Sequence, residues 1–334
     1  MAVFAIYGAT GHTGRLVTAE LLARGKDVIV SGRDPDALAG LGPARVMAAP
    51  LDDPGALRAL AEAADVLIHC AGPFATTGLP VATAAVDGGC HYIDHSVEVH
   101  YVKQLFDTFP ERAQHAGITM LPGVSFYGGL GDLLAGAVAR NMSDIDRVTV
   151  AYAVHNWKMT HGAVETARLL FADTDRIGFE DGAPRFGFVE PRNAIFAFPP
   201  PVGPRAMIAP VPFPEAVTVP RHVRTRAVEA QLTARTFEEE QAFSSENVAA
   251  DERAASEFTI TAQVLGAHGA AAGNLRGRDL WLAAALTSAE AAVRLTEGAA
   301  KSGVASPGEA FDSTEFLTTL ADRGVFTLEL PEQR

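Results

Sequence analysis

Gly8-Ala9-Thr10-Gly11-His12-Thr13-Gly14 lies directly between an apolar run, Val3–Tyr7, and a segment whose Leu16, Val17, Leu21 and Leu22 recur at helical spacing. Strand, glycine loop and helix in that order make a phosphate site. Gly8 permits the tight turn off the strand, Gly11 lets the backbone approach a pyrophosphate, and Gly14 lets the helix pack closely on the sheet. The helix start then offers unpaired N–H groups and a partial positive charge, and Thr10 and Thr13 add hydroxyls. An ordinary strand-to-helix turn could also carry glycines, but the order and N-terminal position favour phosphate binding. The next apolar run ends in Ser31-Gly32-Arg33-Asp34. An acidic residue at that strand end suits the ribose hydroxyl of NAD, whereas an arginine accommodates a 2′-phosphate. With Arg33 first, the expected cofactor is NADP(H), unless Arg33 only pairs with Asp34 or Asp36.

Groups for the reacting end should follow the later strands, because ligands of open parallel sheets collect at strand carboxyl ends. Cys70, Ala71, Gly72, Pro73 and Phe74 should pass beside the cofactor. Asp94, His95, Ser96 and Glu98 form a polar cluster after the next strand, with helix capping as the competing reading. Ser125, Tyr127 and Asp132 follow the strand after that, with Tyr127 a candidate proton donor. The segment HNWKMTH brings His155, Lys158 and His161 to the end of a second-domain strand, where a cation could bind a carboxylate or protonate a product. No spacing makes a metal site, so none is expected. Neither a Tyr-x-x-x-Lys pair nor a GxSxG elbow occurs. Cys70 and Cys90 read as core residues.

The elements that must position these groups alternate. Continuous apolar runs such as DVLIHC are what parallel strands buried on both faces require. Helices are expected after Asp52 or Asp53, near 79–87 and over 99–115, with strands at HYID and ITML. The fold class is therefore α/β: an N-terminal Rossmann doubly wound parallel sheet with a second α+β domain on a mostly antiparallel sheet. Residues 1–130 form the first domain, completed by elements near 300–334, and 131–300 the second. There the proline-rich stretch 199–220 reads as edge strand and loop. Residues 238–256, with weak apolar periodicity, read as a surface helix or mobile excursion. LWLAAALTSAEAAVRLTEG is a helix capped by Asp279 and ended at Gly298.

The chain has 334 residues, 48% hydrophobic and 20% charged, which suits two globular domains. A net charge of −13 argues against nucleic acid and against an anionic membrane as partners. The first apolar run is too short for a signal-peptide core, and no stretch approaches the roughly 18 apolar residues of a membrane span. Two cysteines fit a reducing compartment, so a cytoplasmic protein is expected.

Three blocks, GATGHTGRLV at 8–17, SGRDPDAL at 31–38 and AGPFATTGLPVATAAVDGGCHYIDHSVEV at 71–99, resemble the saccharopine dehydrogenase-like reductases, including the trans-acting enoyl reductase branch. LPGVSFYGGLGDLLA at 121–135 corresponds loosely to a family segment leading to an inter-domain helix. The resemblance covers most of 1–140 and the remainder patchily. It implies a Rossmann domain, a second α+β domain, NAD(P)(H), a homodimer, and reduction of C=N or C=C bonds in a small molecule. The alternative from another class is a sensor that binds NADP(H) without turnover. It would need no acid–base groups converging on the nicotinamide.

Overall fold

The computed structural model describes residues 2–42, 44–172, 175–238 and 241–332. The first sheet takes β1 (Val3–Tyr7), β2 (Asp27–Gly32), β3 (Arg45–Ala48), β4 (Val66–His69), β5 (His91–Asp94) and β6 (Thr119–Leu121). They are connected through α1 (His12–Ala23), α2 (Pro35–Ala39), α3 (Pro54–Glu62), α4 (Phe74–Gly88), α5 (Val99–Thr108) and α6 (Pro110–Ala116). All pairs are parallel and the order is β3-β2-β1-β4-β5-β6, so the chain reverses direction across the sheet between β1 and β4. That switch point opens a crevice above the carboxyl ends of β1 and β4. Both sheet faces are covered. Phe4, Ile6, Val28, Val30 and Ile68 belong to one buried cluster, and their neighbours Ala5, Tyr7, Ile29 and Leu67 to the other. The helix expected over 99–115 is two helices, because Pro110 has no N–H and restarts the chain as the first residue of α6.

After α7 (Gly129–Ala139) come β7 (Ile145–His155), α8 (His161–Ala172), β8 (Asp175–Glu180), β9 (Ala183–Phe188), β10 (Arg192–Ala197) and β11 (Pro204–Ala209). Next are α9 (Glu215–Thr218), β12 (Thr225–Thr233), α10 (Arg235–Glu238), α11 (Ala250–Arg253), β13 (Glu257–Gly266) and β14 (Gly269–Arg278). The chain ends with α12 (Leu280–Thr296), β15 (Gly303–Val304), α13 (Pro307–Ala310), α14 (Ser313–Asp322) and β16 (Thr327–Glu329). The second sheet has the order β10-β11-β12-β7-β13-β14-β16. Only β12–β7 is parallel along it. The β8–β9 hairpin attaches to β12. Its turn is Asp181-Gly182, both at positive φ, the dipeptide that favours a two-residue hairpin.

The two sheets share one core. Phe4 and Ile6 of β1, Leu130, Leu133 and Leu134 of α7, and Val148, Val150 and Tyr152 of β7 belong to a single cluster. The C-terminal elements stitch it together: α12 packs on α1, β15 pairs with β6, and β16 pairs with β14. Two expectations change. The proline-rich β11 is flanked by β10 and β12, so β10 is the edge strand. Its prolines fall at Pro204 and after Ala209, outside the positions that pair with β12. Residues 241–256 are no excursion: Phe243 and Val248 are buried and the segment lies over the glycine loop. Of that stretch, Glu238 ends α10, while Glu239 and Glu240 lie outside the described residues.

Candidate functional site: a glycine loop beside an apolar cavity

The glycine loop is held by backbone. Gly8 and Ala9 donate N–H to the Ser31 carbonyl at 2.9 and 3.0 Å, fixing the end of β1 to β2. Gly8 adopts φ +82°, and a Cβ there would meet the Ala71 Cβ at 2.7 Å. A Cβ on Gly14 would lie 2.2 Å from the Gly8 carbonyl oxygen, so only glycine allows α1 to start this close to the loop. Gly11 caps α1 without a side-chain acceptor of its own; the His12 N–H goes to the Glu246 carboxylate at 3.0 Å, so the start of α1 is a place where an anion sits. Thr10 gives its carbonyl to the Arg15 Nε at 2.8 Å. Asp34 caps α2 by accepting N–H from Asp36 and Ala37. It is therefore not the partner of Arg33, which is exposed and makes no ion pair among the described residues. A helix start that receives an anion, glycines that a Cβ would block, and a guanidinium without an ion pair at the end of β2 fit a dinucleotide carrying a 2′-phosphate.

The 71–74 loop follows β4. His69 beneath it is fully buried, its Nδ1 at 2.9 Å from the Tyr92 hydroxyl and Nε2 at 3.2 Å from the Ala71 carbonyl. Burial drives its pKa down to about 3, so it is a neutral pillar. Glu98 accepts the Phe74 N–H at 2.7 Å and the Val97 N–H at 3.0 Å, joining this loop to the start of α5. Burial raises the Glu98 pKa against those hydrogen bonds. Burial likewise raises the Cys70 pKa, which leaves it a thiol.

A cavity of about 590 Å³ opens between this loop and the second sheet. Thr13, Cys70, Gly72 and Phe74 line its cofactor side, and Phe126, Tyr127, Trp157, Met159, Phe213 and Trp281 its far side. From Tyr127 an aromatic run passes through Trp157 and Trp281 to His12, with centroid steps of 6.4, 6.4 and 5.7 Å. Among the described residues the ionisable lining is Tyr127, Cys70, His95, Glu98 and Arg168. His95 is held neutral, its pKa lowered to about 4 by burial, with Nε2 at 2.9 Å from the Ser288 hydroxyl. Arg168 is paired with Glu165. A larger groove, about 1040 Å³, runs past Arg140, His222 and Arg226, but no glycine-loop residue lines it.

The expected catalytic groups part company here. Tyr127 lines the cavity with its ring, while its hydroxyl is shielded and makes no hydrogen bond. Burial raises its pKa. Asp94 sits beneath the cavity, tying the β5 end to β6 by accepting N–H from Ser96 at 3.0 Å and Gly123 at 2.8 Å. Asp132 faces the other way, to His222 and the Gly308 N–H. His155, Lys158 and His161 do not line the cavity: His155 is exposed, Lys158 pairs with Glu252 at 2.8 Å and His161 approaches Glu246 at 3.4 Å. The same segment contributes Trp157, Met159 and Thr160 instead. Trp157, Trp281 and Glu246 were not anticipated. The helical spacing after Asp279 places Trp281 in a first turn, but nothing local to 246 signals its contact with residue 12.

Fold and loop define a Rossmann-type dinucleotide-binding protein carrying a second, mixed-sheet domain. Residues 4–121, the first sheet and its helices, match the family model described as saccharopine dehydrogenase NADP binding domain, which indicates NADP(H) as the cofactor. The resemblance read from the glycine loop and the 71–99 block is thereby borne out. The chain is similar to a probable mitochondrial saccharopine dehydrogenase-like oxidoreductase of Arabidopsis thaliana, 29% identical over 140 residues. It is also similar to the trans-acting enoyl reductase of Mycobacterium tuberculosis, 28% identical over 131 residues. Each match covers 36% of this chain and 31% of the relative. Among solved structures, saccharopine dehydrogenase (L-Glu forming) from Saccharomyces cerevisiae superposes with a TM-score of 0.67 at 12% identity. That likeness covers 99% of this chain and 100% of the yeast one, and it is one of fold. No helix among the described residues is long and apolar enough to cross a membrane.

Proposed function

We propose that the protein is an NADPH-dependent reductase that delivers hydride to a C=N or activated C=C bond of a neutral, largely apolar small molecule. The observation that carries this reading is the cavity beside the glycine loop, walled by Phe126, Trp157, Met159, Phe213 and Trp281 and without an unpaired cation among its described lining. A substrate carboxylate there would lose water without gaining a counter-ion, a cost of several kcal/mol. An apolar body loses nothing of that kind. The names of the relatives, which include an enoyl reductase, support the reduction of such a compound.

Bound NADPH supplies the hydride and its two electrons. The chain supplies the rest. The start of α1 and Arg33 hold the phosphates, the 71–74 loop, braced by Glu98 and His69, shapes the nicotinamide side, and the aromatic wall excludes water. Tyr127 is the candidate acid: its hydroxyl makes no hydrogen bond, and this role requires substrate binding to turn that shielded hydroxyl toward the cavity. Tyr127→Phe should lower turnover on the order of a hundredfold with the NADPH Kd unchanged, and an equal loss of NADPH affinity would show a structural role only.

Arg33→Ala should weaken NADPH but not NADH by about ten- to a hundredfold, the worth of a charge-assisted phosphate contact. The reading as a whole is tested by NADPH oxidation against hydrophobic enals, enones and imines beside amino-acid-derived imines. Turnover confined to the amino-acid compounds would refute the apolar-substrate reading. A specific observation favours a second reading, an NADP(H) sensor: Lys158 and His161 turn from the cavity toward Glu252 and Glu246. Tight NADPH binding with no turnover of any compound in that panel is the outcome it expects.

A further inference from the structure

The anion site at the start of α1 already holds an anion, and it belongs to the chain. The Glu246 Oε2 accepts the His12 backbone N–H at 3.0 Å. His12 is the first residue of α1, where the helix dipole and the free N–H groups favour negative charge. The contact is reinforced on three sides. The His12 Nδ1 lies 3.3 Å from the Glu246 carbonyl, the His161 Nδ1 lies 3.4 Å from the Glu246 Oε1, and the Phe243 ring stacks on the His12 ring at 5.2 Å.

The segment that carries Glu246 is fastened at both feet. Met159 donates N–H to the Gln241 carbonyl at 2.7 Å and accepts from Phe243 at 2.9 Å. At the other end Arg253 binds the Val248 carbonyl at 2.7 Å and the Asp279 carboxylate at 2.9 Å. Between the feet, Ser244, Ser245 and Asn247 are exposed. Behind the span a cavity of about 370 Å³ separates it from α1, lined by Arg15, Leu16, Ala19, Asn247 and Val248 among others. A span with so few packed neighbours loses little dispersion energy when it lifts.

We infer that residues 244–247 form a strap whose Glu246 carboxylate competes with the cofactor pyrophosphate for the N-terminus of α1, so that NADP(H) binds only as the strap lifts. The inference needs NADP(H) binding at the glycine loop and is independent of whether a substrate is reduced. A pyrophosphate and a carboxylate cannot share the same N–H donor, and their like charges repel in a site partly shielded from water. The measured affinity is therefore the intrinsic one multiplied by the fraction of molecules with the strap open.

The test measures NADPH affinity by fluorescence titration of the full chain and of the Glu246→Gln and Glu246→Ala variants. Both should bind about tenfold more tightly, with alanine at least as tight as glutamine, because glutamine keeps an acceptor without the charge. Equal affinity overturns the inference, and so does weaker binding, which would make Glu246 a ligand of the cofactor. Hydrogen exchange on the unmodified protein gives a second readout that no substitution can disturb. NADPH should slow exchange at His12, Thr13 and Gly14 and speed it at 244–247. Slower exchange at both segments would mean that the strap closes on the cofactor, and the competition would be wrong. If neither the unmodified protein nor the variants bind NADPH while remaining folded, the inference falls together with the cofactor assignment. Bound NADPH with no turnover would remove only the reductase reading.

Discussion

Gly14→Ala is expected to abolish measurable NADP(H) binding while Gly40→Ala leaves it unchanged. The added Cβ at position 14 would stand 2.2 Å from the Gly8 carbonyl oxygen and 2.7 Å from the Ala9 Cα, and both obstacles are backbone. Gly8 cannot retreat, because its N–H is bound to the Ser31 carbonyl and its own Cα faces Ala71. α1 would have to move outward, carrying with it the N–H groups that face the phosphates. Overpacking of this kind costs about 1–3 kcal/mol or more, and the displaced anion site adds to it. We expect at least a hundredfold loss of NADPH affinity, measured by fluorescence, with a lower Tm. Gly40 is a fair control: it closes α2, and its Cβ would meet only the Ala37 carbonyl at 3.7 Å, an ordinary contact. An affinity for Gly14→Ala within a few fold of the unmodified protein would show that the loop does not hold the cofactor.

Glu215→Gln is expected to stabilise the protein above neutral pH and to lose that advantage in acid. Glu215 opens α9 with its side chain fully buried beside Tyr152, whose hydroxyl donates to the Glu215 Oε1. The other oxygen has no partner. Gly131 makes room for the pair, since a Cβ there would fall 2.2 Å from the Tyr152 hydroxyl. Burial pushes the Glu215 pKa up from 4.5 to about 7, against the pull of the Tyr152 hydrogen bond, and the Asp132 charge pushes the same way.

In acid, below 4.5, the carboxyl is protonated whether the chain is folded or not. As pH rises from 4.5 to about 7 the unfolded chain ionises while the folded one keeps its proton, so stability falls through that window and then levels off. The full effect is on the order of 3 kcal/mol, at roughly 1.4 kcal/mol per pH unit. A glutamine cannot ionise and still accepts from Tyr152. Thermal unfolding of both proteins from pH 4 to pH 8 should show a gap in Tm that widens upward by several degrees. A gap that stays constant, or narrows as pH rises, would mean that Glu215 is ionised at little cost.

The N-terminal half was legible because its signals are local. VFAIY, the glycine spacing and Arg33 lie within one strand–helix–strand unit, and each residue's role follows from backbone geometry a few positions away. Even there the sequence left Arg33 divided between a cofactor phosphate and a neighbouring aspartate. In the fold Asp34 caps α2 and Arg33 makes no ion pair among the described residues, so it pairs with neither Asp34 nor Asp36. The helix stops were legible for the same reason, save the break at Pro110, where a continuous apolar stripe hid the missing N–H. The Asp181-Gly182 turn was a readable hairpin signal that the surrounding prolines and weak alternation obscured.

The character of the site beyond the glycines depends on contacts between segments far apart in the chain. His155, Lys158 and His161 read as cations for a cleft, yet the register of β7 and the turn into α8 send them outward and bring Trp157 and Met159 to the cavity. Asp94 read as a candidate for chemistry and serves as a knot between β5 and β6, because its Oδ1 accepts the N–H of Gly123, 29 positions on, and of Ser96, two positions on. The contact of Glu246 with His12 spans 234 positions and leaves no trace in either segment's composition. A sequence fixes backbone conformation where the needed partner is a few residues away. Which side chain faces a cavity, and which anion faces a helix end, depends on how two sheets pack through α7 and α12 around one shared core.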